Sequence, residues 1–156
     1  MSTVQAEALV KALDLLFTET FDEVQGIYLD KGTSMFETLA GISAREASIP
    51  VGGKCATLAA QVKHTTFYLD VLDEALRTGQ FESRDWGRIW RETSAVTPEE
   101  WDAIKAELAA SYGRAKASVS AITEWREDEI LGAFALIIHT AYHLGEIRQA
   151  LCVVQK

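Results

Sequence analysis

Apolar residues recur along the chain at spacings of three, four and seven, the mark of helices with one buried face, and show no alternating strand pattern. Leu9, Leu13, Leu16, Phe17 and Val24 outline a first helix running to about Val24, with Ser2 to Gln5 in the pattern of a capping box. From Gly26 to Gly53 the period is broken by Gly26, Gly32, Gly41, Pro50 and the Gly52-Gly53 pair. This predicts a long ordered connection with room for a short helix over Ser34 to Ile42. A second helix is expected from Lys54 to about Arg77, ended by Gly79. Gln80 to Val96 lack a clean period and read as a crossover loop covering one end of the fold. Thr97-Pro98-Glu99-Glu100 then opens a third helix to about Ile122, because threonine caps, proline suits the first helical position and glutamate completes the box. A fourth helix begins at Arg126-Glu127-Asp128-Glu129, with three carboxylates at the positive end of its dipole, and continues to Val154.

Four helices with long connections after the first and second, no strand pattern and no internal repeat predict an all-α fold, a four-helix bundle occupying 1–156 as a single domain. The fourth helix is apolar almost all round. At 100° per residue, Ile130, Phe134, Ile137, Ala141, Leu144 and Leu151 share one side, while His139 and His143 share the other with Gly132, Ala135, Glu146 and Ala150. Such a helix either lies at the centre of the fold or packs against a second subunit as well.

The histidines change this picture from packing to chemistry. His139 and His143 stand four residues apart and so project from one helix face, the geometry by which a single segment grips a metal ion. His64, the only other histidine, falls on the second helix in a stripe with Thr57, Ala60, Tyr68, Val71 and Ala75. If the second and fourth helices are neighbours, the three imidazoles converge. Tyr68, one turn beyond His64, is placed to line such a site or to pack in the core. Glu146, one turn beyond His143, has three open roles: fourth ligand, partner of a ligand, or general base. Three neutral imidazoles around a divalent ion leave a position open for water or a thiol.

Composition removes several other functions. The 156 residues are 48% apolar and 24% charged, with a net charge of −8, which disfavours nucleic acid as a partner despite Phe81, Trp86 and Trp90 interleaved with Arg84, Arg88 and Arg91. No apolar run of about 18 residues is free of charge, so no membrane span is expected. Met1 to Glu7 lack the features of a signal peptide, which makes the cytoplasm the expected location. Cys55 and Cys152 sit in apolar helical patterns and are expected to be buried, reduced thiols. Gly52-Gly53-Lys54 is not a phosphate loop, since Ser48 stands where that motif needs glycine. A Gly-x-Ser-x-Gly elbow is also absent.

A histidine on the second helix, followed 75 residues later by His139-x-x-x-His143-x-Gly145-Glu146-Ile147-Arg148-Gln149, resembles the DinB-like family of damage-inducible four-helix-bundle proteins. The usual family pattern has glutamine where this chain has Glu146. The resemblance implies a divalent metal, usually zinc or nickel, held by His64, His139 and His143, and a homodimer. It also implies a metal-dependent transferase or isomerase that uses a low-molecular-weight thiol. Together with the open three-histidine site, the expected function is hydrolysis or thiol-dependent transfer on a small-molecule substrate. The alternative is a non-enzymatic stress-response or ligand-binding module with a structural metal.

Overall fold

A computed structural model describes residues 5–155, and within them every regular element is helical. Helix α1 spans Ala6–Phe21, α2 Met35–Ala40, α3 Ala44–Ala47, α4 Leu58–Thr78, α5 Arg88–Glu92, α6 Pro98–Ser120 and α7 Glu127–Val154, with a 3-10 turn at Val51–Gly53. The four long helices are α1, α4, α6 and α7. Helix α4 packs against α6 and α7, and α1 packs against the same two. Their shared core includes Leu13, Phe17, Leu58, Val62, Leu69, Leu108, Leu136, Leu144 and Ile147.

Caps decide most helix ends. The Thr57 hydroxyl accepts the Ala60 amide at 3.2 Å, so α4 starts at Leu58 and not at Lys54. It ends where Gly79 takes the left-handed conformation (φ 68°) and donates its amide to Ala75 O. Thr97 and Glu100 form the expected capping box of α6, with Pro98 at its first position. The expected box at Ser2 lies outside the described residues; Gln5 precedes α1 without a side-chain cap.

Helix α1 stops at Phe21, short of the expected Val24, because the chain finds a better acceptor than the helix. The Glu19 carboxylate, fully buried, accepts the backbone amides of Gln25, Ile27, Tyr28 and Leu29 at 2.7–3.0 Å. Burial alone would raise this carboxyl; the four donors outweigh it and hold its pKa at about 2. The connection that follows carries two short helices, each opened by a serine–glutamate box, Ser34 with Glu37 and Ser43 with Glu46. Its far part is pinned to α6 by the buried Trp101, whose indole N–H donates to Ile42 O at 2.7 Å.

The connection from Gln80 to Val96 does not cover an end of the fold. It runs back along α4 as a strap. Arg84 pairs with Glu74, Trp86 packs on Phe67 and Tyr68, Trp90 on His64, and the Thr57 hydroxyl donates to Ser94 O. Tertiary contact therefore orders a segment with no period of its own.

Helix α7 is, among the described residues, the one helix long and apolar enough by composition to cross a membrane. A helix packed into a protein core passes the same test, and α7 buries Ala133, Leu136, Ile137, Thr140, Leu144 and Ile147 against its neighbours. Gly132 permits close approach: a Cβ there would meet Leu76 of α4 at 2.8 Å. The outer side of α7 leaves Leu131, Ile138, Tyr142 and Val153 exposed. Both cysteines correct the expectation of burial. Cys55 precedes α4 and Cys152 lies on the outer side of α7, and each is a free, exposed thiol.

Candidate metal centre

Helices α4 and α7 lie side by side, and their middle turns bring the three histidines together. His64 comes from α4, His139 and His143 from consecutive turns of α7. Ring centroids are 4.5 Å apart for His139 and His143, 4.8 Å for His64 and His143, and 5.3 Å for His64 and His139. One ligand nitrogen from each ring lies within 4.8 Å of the other two, and among the described residues no other group of three such side chains could hold an ion. A tetrahedral ion bound at about 2.1 Å would draw these atoms to roughly 3.4 Å apart.

The donor set fits a metal. His64 Nδ1, His139 Nε2 and His143 Nε2 are buried without any hydrogen-bond partner. A buried, unsatisfied polar atom costs about 1–3 kcal/mol, and a cation held by the three rings would account for such atoms by accepting a lone pair from each. The rings are also in the right protonation state. Burial, then the charge of His143, lowers His64 to about 4. Burial, then His143 and His64, lowers His139 to about 4. His143 moves down for the same first reason, although Glu146 opposes the shift. All three are therefore neutral at pH 7 with lone pairs to offer.

The second nitrogen of His143 shows why its Nε2 faces inward. Nδ1 lies 2.8 Å from Glu146 Oε2 and 2.8 Å from Gln61 Oε1. A carboxylate only accepts, so the ring proton sits on Nδ1 and Nε2 is bare. Glu146 thus reaches His143 from the side away from the other two histidines. Its carboxylate also raises the pKa of the nearby, exposed Tyr142 phenol.

Aromatic rings wall the other sides. Tyr68 stacks on His139 with centroids 3.5 Å apart and planes 15° from parallel. Trp90 leans over His64 at 4.5 Å. A groove of about 560 Å³ shares Gln61, Tyr142 and Glu146 with the centre and continues over Leu58 and Val153, with Cys55 at its edge. Arg148 turns away from the site and donates to the Thr38 hydroxyl at 3.3 Å.

The sequence-expected residues His64, His139, His143, Glu146 and Tyr68 thus fall in one place. Gln61 and Trp90 were not expected there. Gln61 stands three residues before His64, a spacing that shares its face and was readable from the sequence. Trp90 carried no such signal, since its position depends on the strap. Compared with known proteins, the chain matches no family model, no curated protein and no solved structure.

Proposed function

We propose that the chain is a DinB-like four-helix bundle that binds one divalent metal, zinc or nickel, through His64, His139 and His143. On this reading it acts as a metal-dependent hydrolase or thiol-dependent transferase or isomerase on a small molecule. The observation that carries the reading is the convergence of three unpartnered, buried imidazole nitrogens from two helices. The pairwise packing of α1, α4, α6 and α7 and the His139 to Gln149 pattern support the family assignment. A divalent ion in such a site supplies a Lewis acid that acidifies water or a thiol at neutral pH.

The chain's own residues supply the rest. His64, His139 and His143 stay neutral and present their lone pairs. Tyr68 and Trp90 limit water around the rings. Glu146 holds the proton of His143 on Nδ1, a positioning role that suits it better than ligation or direct attack on a substrate. The exposed apolar side of α7 supports a homodimer built on that face. The free, exposed Cys55 and Cys152 suit a reducing compartment, and we place the protein in the cytoplasm.

A second reading keeps the metal and removes the reaction: the ion braces α4 against α7 in a non-enzymatic binding module. The cover of Trp90 over the buried His64 favours it. Elemental mass spectrometry on tag-free protein tests both readings against the absence of metal. About one equivalent per chain, lost in His143→Ala, is expected; no metal after incubation with zinc or nickel and dialysis would sink both. Cobalt substitution then separates them. A visible spectrum that shifts with added thiol or azide shows an exchangeable position and favours catalysis, whereas an inert spectrum favours the brace.

A further inference from the structure

One ring nitrogen of His143 has two acceptors and a single proton to give. Glu146 Oε2 and Gln61 Oε1 both lie 2.8 Å from Nδ1. Glu146 belongs to the same helix as the histidine, and its side chain is 37% exposed. Gln61 belongs to α4, one turn before His64. Its amide therefore reaches from the helix that offers one ligand to the histidine that offers another.

We infer that Gln61 is a positioning residue of the metal centre: it accepts the Nδ1–H of His143 across the α4–α7 contact and holds bare Nε2 toward His64 and His139. This rests on the metal-binding reading above. The orientation of the amide follows from Glu146. Were the Gln61 amide reversed, its N–H would donate to Nδ1 and the ring proton would move to Nε2. Glu146 would then face a lone pair at 2.8 Å, an unfavourable contact, and Nε2 could not ligate. Glu146 can set the same tautomer, but only from along α7. Gln61 adds what Glu146 lacks, a tie that sets the rotation and distance of one ligand helix against the other.

The test uses Gln61→Leu, which removes the acceptor at similar size, and Gln61→Glu, which keeps an acceptor at the same reach. Zinc affinity is measured by competition with a chromophoric chelator, and the cobalt-loaded spectrum is recorded for each protein. Long-range nitrogen–proton NMR on the metal-free proteins reports which ring nitrogen of His143 carries the proton. Gln61→Leu should bind zinc about 10–100-fold more weakly, as loss of a hydrogen-bond partner to a ligand typically does, with altered cobalt bands. Gln61→Glu should stay close to wild type, and wild-type His143 should be protonated on Nδ1.

Unchanged affinity and spectrum in Gln61→Leu would overturn the inference, and so would a wild-type His143 protonated on Nε2. Where the leucine variant does not fold, Gln61→Ala takes its place in the affinity and spectral measurements under the same criteria, and a wild-type His143 protonated on Nε2 overturns the inference without any variant. Failure of the wild type to bind any metal is a separate outcome and removes the metal-binding reading itself.

Discussion

The indole of Trp90 lies over the imidazole of His64, with ring centroids 4.5 Å apart and planes inclined by 31°. A paramagnetic ion at the three histidines would sit within a few ångströms of this indole and quench its emission. Titration with cobalt or nickel should therefore lower tryptophan fluorescence, saturating near one equivalent, and Trp90→Phe should abolish most of the change. A quench of undiminished size in that variant would show that Trp90 does not cover the centre.

The metal-free protein should lose stability as acid reaches the histidines. His64 and His139 have pKa values of about 4 against an ordinary 6.5, so the unfolded chain binds protons more readily than the folded one. Their contribution is fully present above about pH 6.5 and is lost as the pH falls toward 4. Thermal midpoints of chelator-treated protein should decline across this window, and His64→Leu should flatten the decline. A midpoint that rises on acidification would contradict the burial of neutral imidazoles.

Glu19 titrates lower still. Its pKa of about 2 against an ordinary 4.5 means that its contribution is present above pH 4.5 and is lost only as the pH falls toward 2. Glu19→Gln replaces an acceptor of four amides by a weaker one. Urea unfolding at pH 7 should show a loss of about 2–4 kcal/mol. A change below about 0.5 kcal/mol would mean that the 25–29 turn is held by other contacts.

Gly113 lies inside α6, exposed, and a Cβ there meets nothing within 4 Å. Gly113→Ala should stabilise the protein by about 0.5–1 kcal/mol through helix propensity alone. Thermal melts would read this as a rise of about 1–4 °C. A lowered midpoint would mean that this side of α6 is covered in solution.

What the sequence discloses follows the range of the interactions involved. The three-histidine cluster was legible because His139 and His143 are bound to one helix period and His64 to another, and periodicity also places α4, α6 and α7 within a few residues of their observed ends. The overrun of α1 to Val24 came from an interaction that no period encodes, the capture of four backbone amides by Glu19. Cys55 and Cys152 read as core because apolar neighbours surround them in sequence. Yet α4 starts after the first, and the second points outward from a helix apolar on every side. Trp90 could be found only from the fold, since nothing in residues 80–96 indicates that this stretch runs along α4.

The strap and all of α6 lie between His64 and His139, 75 positions apart in the chain. The two helices that carry these histidines can meet only after that whole length has been made, and α7 leaves the ribosome after α1, α4 and α6. On the proposed reading, an ion has nothing to grip in a partly made chain and joins a structure already closed. Contacts completed after the folding barrier slow the reverse reaction and leave the forward one unchanged. The metal would then govern how long a finished molecule lasts, and have little influence on how quickly one is made.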